Sequence, residues 1–218
     1  MWIEKVKNIT PKPIWDILKE IKKKYLTRKY LKGKRPIIKG DTTRAFNRRL
    51  REGFFDKYCL GKGLDVGFGG DLIKSDAQGW DFEHGDAQFL EGLEDESFDY
   101  VYSSHTLEHV YDAKTSLKNW YRVLKPNGYL ILYIPHRDLY EKKKKLPSRF
   151  NTNHLRFFLI NENDLPDTIG IIPLMNDSLE NFKIIYAKEC SEGRTIEDPM
   201  IHSDGEYSIE IVIQKNKK

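Results

Sequence analysis

From residue 61 onward, short apolar runs alternate with amphipathic stretches, the pattern of an α/β domain. Gly63 to Val66 predicts a buried strand that ends in a Gly-rich turn, and Phe98 to Ser103 predicts a second strand. Ala113 to Leu124 reads as an amphipathic helix stopped by Lys125-Pro126-Asn127-Gly128. Tyr129 to Ile134 is apolar almost throughout, as in a strand buried on both faces of a parallel sheet. A short helix is expected over Glu162 to Ile169. Phe182 to Ala187 and Tyr207 to Ile213 read as late strands with no helix between them, hence an antiparallel hairpin joined to a parallel sheet.

Before residue 61 the pattern is helical. Pro11 and Pro13 precede Ile14, Ile17, Leu18, Ile21, Tyr25 and Leu26, which fall near helical spacing, while Lys19, Lys22, Lys23, Lys24 and Lys29 lie mostly off that stripe. This predicts a basic amphipathic helix over residues 14–31. Gly33 to Gly40, with Pro36, reads as a linker, and Thr42 to Tyr58 as a second helix with Phe46, Leu50, Phe54 and Phe55 as its apolar positions. The expected organisation is a basic helical arm over residues 1–40 and an α/β domain over 41–218.

Charge sharpens that division. Residues 1–60 hold 18 Lys and Arg against 6 Asp and Glu, whereas the remainder holds 19 against 27. Such an arm suits a solvated face, a protein partner or a peripheral membrane surface. Composition excludes other classes: hydrophobic residues make up 39% and charged residues 32% of the 218. The longest apolar run, Tyr129 to Pro135, is far short of the roughly 20 residues of a membrane span. The N-terminus alternates Lys with apolar residues, unlike a secretory signal, and Cys59 and Cys190 form neither a disulfide framework nor a CxxC pair. A cytoplasmic protein is expected.

The Gly-rich turn carries the first chemical hint. In Leu64-Asp65-Val66-Gly67-Phe68-Gly69-Gly70, Asp65 stands before the first glycine, where a carboxylate would repel a phosphate and suit an ammonium or sulfonium. No Gly-Lys-Ser/Thr follows, which excludes a P-loop. Further along come Gly85-Asp86-Ala87, Ser97-Phe98-Asp99-Tyr100-Val101-Tyr102, His105-Thr106-Leu107-Glu108-His109 and Arg122-Val123-Leu124-Lys125-Pro126-Asn127-Gly128. Together these segments of residues 61–135 resemble the class I S-adenosylmethionine-dependent methyltransferases, in particular a subgroup found with bacterial surface-polysaccharide genes.

The resemblance implies a Rossmann-like open sheet, mostly parallel with an antiparallel terminal strand and helices on both faces, and S-adenosylmethionine as cofactor. Its implied contacts are Asp65, Gly67, Phe68 and Gly69 at the methionine end, and Asp81 at the ribose hydroxyls. Phe82 would cover the adenine face, Asp86 and Ala87 would meet its edge, and Ser104 and His105 would lie at the end of the fourth strand of the family's sheet. Two departures stand out. Only ten residues separate Gly70 from Asp81, too few for a full crossover helix and a strand, and Phe68 replaces a smaller residue, which would narrow the pocket.

A hydroxyl or ammonium acceptor must lose a proton, and histidine is the usual base. His105, His109 and His154 are the candidates, with His109 and His154 favoured. The polar segment over 135–166 reads as an acceptor lid carrying His136, Arg137, Asp138, Tyr140, Arg149 and Asn151. The same residues support a rival: His105-Thr106-Leu107-Glu108-His109 matches the HxxEH pattern of inverted zinc peptidases, with both imidazoles on one face of a helix and Glu108 as base. The Gly-rich turn and flanking strands fit a nucleotide site better, so no metal ligand is assigned. Nucleic acid is not expected as a partner, because Ser103-Ser104-His105 stands where base-amine methyltransferases carry Asn/Asp-Pro-Pro-aromatic. A small polar acceptor is expected, a sugar or phosphorylated precursor methylated on a hydroxyl or carboxyl. Lys142–Lys145 and Arg149 would suit an anionic one.

Overall fold

A computed structural model describes residues 40–217; the basic arm, with the predicted helix over 14–31, lies outside the described residues. The elements are α1 (Asp41–Arg44), α2 (Phe46–Arg51), α3 (Phe54–Tyr58), β1 (Gly63–Val66), β2 (Gln78–Trp80), β3 (Phe98–Ser104), α4 (Ala113–Arg122) and β4 (Leu124–Pro135). A π-helical turn (Arg137–Glu141) follows, then β5 (Phe157–Leu159), β6 (Thr168–Gly170), α5 (Ile171–Ser178), β7 (Phe182–Cys190) and β8 (Ser208–Lys215).

Six strands form one sheet in the order β2-β1-β3-β4-β8-β7. All neighbours are parallel except those of β8, which runs antiparallel to both β4 and β7. The alternation along β4 and β8 decides what each face holds. Leu130, Leu132 and Ile134 pair with Ile213, Ile211 and Ile209, and all six point into one core with Leu117 and Trp120 of α4 and Leu174 and Met175 of α5. Each such side chain, fully buried, contributes about 1.5–3 kcal/mol, so this apolar face dominates the stability of the sheet. The N-cap of α4 adds about 1 kcal/mol, with Asp112 accepting from Lys114 N and Thr115 N.

The opposite face is built on charge. Tyr133 pairs with Glu210 across β4 and β8, and α2 lays two arginines over them. Arg49 Nε donates to Glu210 at 2.7 Å and its Nη1 to Tyr102 Oη at 2.9 Å, while Arg48 reaches both Glu206 and Glu210. Arg49 and Glu210 are both fully buried. The predicted single helix over Thr42 to Tyr58 is therefore three short helices, interrupted at Gly53, whose φ of 63° is left-handed. Its inner side is Ala45, Arg48 and Arg49, whereas Leu50 of the expected apolar stripe is 60% exposed.

Two further differences concern connections. Residues between the Gly-rich turn and Gln78 contain no helix, so the short spacing removes the first crossover helix entirely. The helix expected over Glu162 to Ile169 is instead the approach to β6, which pairs in parallel with β5, and the helix starts at Ile171. Pro166 lacks the N–H a helix needs, while Ile171, Leu174 and Met175 supply the buried helical spacing one turn later. Among the described residues no helix is long and apolar enough to cross a membrane.

Glu210→Gln should destabilise the fold by about 3–5 kcal/mol at neutral pH, because it leaves the buried Arg49 guanidinium without its carboxylate and weakens one of the pairings of Arg48, which keeps Glu206. Burial alone would raise the Glu210 carboxyl, but Arg49 and Arg48 hold it at about 2, below its ordinary 4.5. Its contribution is thus present above pH 4.5 and lost as pH falls towards 2. Denaturant melts of wild type and variant should converge over that window; a gap that stays constant would contradict the assignment.

Candidate functional site

The parallel register brings the carboxyl ends of β1 and β3 side by side, with Val66 opposite Ser103. Ligands bind at such ends in open α/β sheets. The turn after β1 is pinned from beneath: Asp65, fully buried, accepts from Ile73 N at 2.6 Å, and its Oδ1 has no partner among the described residues. Burial pushes this carboxyl well above 3.8, against the Ile73 N–H, and the nearby Asp71 adds to the rise. Gly67 has a φ of 72°, and a Cβ there would collide with the Thr106 side chain. Gly69 has a φ of 55° and open space where a Cβ would stand. Its N–H donates to Asp81 Oδ2 at 3.1 Å, tying the turn to the residue after β2. Phe82, next in the chain, is 94% exposed.

Beyond β3 the chain does not enter a helix. His105 takes a left-handed φ of 49°, and residues 105–110 form turns closed by His109 N on Thr106 O. The shared helical face required by the HxxEH reading is therefore absent. The segment around His154 is strapped onto this turn. Leu155 N donates to Glu108 O, and the Arg156 guanidinium donates to the carbonyls of Leu107, Val110 and Tyr111. The result is a convergence. His105 Nδ1, His109 Nε2 and His154 Nε2 lie 3.6, 3.8 and 3.9 Å from one atom, Glu108 Oε1.

Glu108 is wholly buried and neither of its oxygens has a hydrogen-bond partner among the described residues. Burial pushes its carboxyl up to about 8, helped by Asp41 and Glu141. Burial likewise pushes His105 down to about 4 against the pull of Asp41, and lowers His109, with His154 adding to that fall. Tyr140, from the π-helical turn, stacks on His154 with ring centroids 5.3 Å apart and meets His105 and Tyr207 edge-on. Tyr207 Oη donates to Asp41 Oδ1 at 2.6 Å, so α1 also borders the cluster.

The predicted residues thus fall into groups. Gly67, Gly69, Asp81 and Phe82 gather at the turn, and His105, His109, His154 and Tyr140 at the cluster. Asp65 lies beneath the turn, shielded from solvent, and Phe68 is also buried, its ring packed on Gly79 of β2 where a narrowed pocket was expected. Asp86 caps its own turn by accepting from Gln88 N, and the Ala87 carbonyl accepts from Trp120 Nε1. Ser104 ends β3, its hydroxyl buried without a partner among the described residues. His136, Arg137 and Asp138 turn away from the cluster: His136 pairs with Glu189, and Arg137 with Asp138 and Asp164. Asn151 caps the turn before His154 through Asn153 N, and exposed Arg149 reaches the Pro199 carbonyl. Asp41, Glu141, Arg156 and Tyr207 were not predicted; none stands in a motif, and only tertiary contacts bring them here.

Residues 64–132 match the methyltransferase domain family. No curated protein matches the chain. Among solved structures, a SAM-dependent methyltransferase from Archaeoglobus fulgidus is 17% identical, with 81% of this chain and 95% of that one covered and a TM-score of 0.51. The [4+2]-cyclase SpnF is 14% identical, covering 78% and 81%, with a TM-score of 0.50. A SAM-dependent methyltransferase from Thermotoga maritima is 22% identical, covering 80% and 97%, with a TM-score of 0.45. The first two of these, at TM-scores of 0.51 and 0.50, share the fold, which also hosts a cyclase and so does not fix a reaction by itself. The domain match supplies the rest: residues 64–132 form a methyltransferase domain, with S-adenosylmethionine as its cofactor.

The buried Asp65 carboxyl carries a testable consequence. Its folded-state pKa lies above the ordinary 3.8, so its contribution is full below that value and is lost as pH rises through the folded one. Asp65→Asn, which can still accept from Ile73 N, should therefore leave the melting temperature unchanged or raised at neutral pH. It should weaken S-adenosylmethionine binding, measured by calorimetry, by at least about tenfold, because a cationic ligand favours the charged form of the Asp65 carboxyl and the amide has none. Unchanged affinity would contradict a role for Asp65 in cofactor recognition.

Proposed function

We propose that this S-adenosylmethionine-dependent methyltransferase methylates a hydroxyl or carboxyl oxygen of a small polar acceptor at the histidine cluster beyond β3. The acceptor class we infer is a sugar or phosphorylated precursor of surface polysaccharide. One observation carries the placement. Thr106 packs so closely on Gly67 that no side chain fits between them, so the cluster that begins at His105 directly adjoins the cofactor turn.

The residues at that turn fit the cofactor. The open face of Gly69 admits a ligand against the backbone, the Asp81 carboxylate lies beside it as an acceptor for ribose hydroxyls, and the exposed Phe82 ring offers a stacking face. Asp65 adds negative potential for the cationic methionine end, and the remaining cofactor contacts would come from Asp86, Ala87 and Ser104, as the resemblance implies. Bound S-adenosylmethionine supplies an electrophilic methyl group, whose bond to sulfur breaks as the acceptor oxygen bonds the carbon, leaving the electron pair on a neutral thioether.

The protein's own part is alignment and proton removal. Among the three histidines that face Glu108, His109 has the most exposed side chain, at 31%, and is the one an acceptor reaches. Tyr140 walls the cluster, and residues 142–153, irregular between the π-helical turn and the strapped His154 segment, form the acceptor side. Lys142 is committed to the carbonyls of Ile196, Asp198 and Ile201, so recognition of an anionic acceptor falls to the exposed Lys144, Lys145 and Arg149.

Incubation with methyl-labelled cofactor and a panel of sugars, uronic acids and sugar phosphates should transfer label to oxygen. With the best acceptor, His109→Ala should lower kcat by about 100-fold or more while cofactor affinity stays within about twofold. Label found only on amines, or a variant with unchanged kcat, would overturn this reading.

A further inference from the structure

Two of the clustered histidines have their lone pairs fixed by their neighbours. A carbonyl oxygen only accepts, so His109 Nδ1, 3.1 Å from Asn153 O, carries the proton and leaves Nε2 bare. His154 Nδ1 lies 2.5 Å from Glu141 Oε1 and donates in the same way. Both bare nitrogens are aimed at Glu108 Oε1, at 3.8 and 3.9 Å, too far for a hydrogen bond. Glu108 is fully buried and His154 nearly so. Three atoms able to ligate a metal thus face one another in a largely enclosed site, none of them within hydrogen-bond reach of another, and a bound cation would join them.

We propose that Glu108, His109 and His154 bind a divalent transition-metal ion, with Glu141 and Asn153 orienting the two imidazoles. The three ligand atoms lie within 4.8 Å of one another. Ligands bonded at about 2.1 Å to one ion stand about 3.0–3.4 Å apart, so the side chains draw inward on binding. Two imidazoles and one carboxylate favour zinc, iron, cobalt or manganese over magnesium and calcium, which prefer all-oxygen sites. A carboxylate or carbonyl behind each ligating imidazole is the usual device for fixing the tautomer and raising ligand basicity. His105 Nδ1, 3.6 Å from the same Glu108 oxygen and 3.7 Å from Asp41 Oδ2, closes one side of the site.

Three protein ligands leave a position open. An acceptor hydroxyl bound there is polarised, its O–H bond breaks with the proton passing to solvent, and the oxygen keeps the pair that bonds the incoming methyl carbon. With the ion bound, His109 and His154 activate the acceptor through it, in place of the direct proton removal by His109 that the metal-free cluster would perform. This role rests on the acceptor assignment above; the existence of the site does not.

The test uses the full chain, stripped with a chelator and free of cofactor and acceptor. Calorimetric titration with zinc chloride should give one ion per chain, magnesium chloride should give no comparable binding, and cobalt chloride should give visible absorption bands. His109→Gln, on the partly exposed ring, should weaken zinc binding at least 100-fold while circular dichroism stays that of wild type. Glu141→Gln removes no ligand; it should weaken zinc by about 10–100-fold and shift the cobalt spectrum. Substoichiometric zinc, or equal affinity in wild type and His109→Gln, overturns the site. Methyl transfer that persists in the chelator-stripped protein removes the ion's catalytic role and spares the proposed reaction; stoichiometric zinc without transfer to any oxygen acceptor keeps the site and overturns that reaction.

Discussion

The contact between Gly67 and Thr106 holds the functional end of the molecule together. It exists because β1 and β3 are parallel neighbours that end level, so the turn leaving one strand meets the chain leaving the other. Ser103 Oγ and Thr106 Oγ1 both donate to Val66 O, at 3.0 and 3.3 Å, and fix the approach. A side chain at residue 67 would force the two turns apart, which is a stronger reason for glycine there than conformational freedom alone. The Gly-rich turn and the histidine cluster are thus two sides of a single packing contact.

Buried charge is used in two opposite ways. On the α1–α3 side of the sheet, Arg48 and Arg49 meet Glu206 and Glu210 with nearly every polar atom bonded, and the carboxyl of Glu210 stays ionised far into acid. At the carboxyl end of β3, Glu108 is equally buried and has no bonded partner among the described residues. The first arrangement is structural and nearly complete, with only Arg49 Nη2 lacking a partner among the described residues. The second is incomplete, although Arg156, Leu155 and Glu141 all hold its surroundings in place. A fold that spends so many contacts on positioning an unsatisfied carboxylate points to a ligand at that carboxylate.

Much of this was legible in the sequence where signals are local. The Gly-rich turn, β3, α4, the apolar β4 and the closing hairpin all follow from periodicity and turn residues. The missing crossover helix followed from the ten-residue spacing before Asp81. The errors have local causes as well. Glu162 to Ile169 resembles a helix until Pro166 and Gly170 are weighed, and Phe46 and Leu50 look like a core stripe until α2 turns its arginines inward. Glu108 stood inside a motif that suggested zinc on a helix; the helix is absent, yet the side chains converge. That convergence draws on residues 41, 105–109, 140–141, 154 and 207, and no spacing rule links positions so far apart.

The most direct measurement is a crystal structure of the full chain with S-adenosylhomocysteine. Density should follow the open face of Gly69, with the ribose at Asp81, the adenine at Phe82 and the sulfur turned towards Glu108, His109 and His154. Density that leaves the sulfur facing away from that cluster, or that places the nucleoside elsewhere on the sheet, would contradict the assignment of both halves of the site.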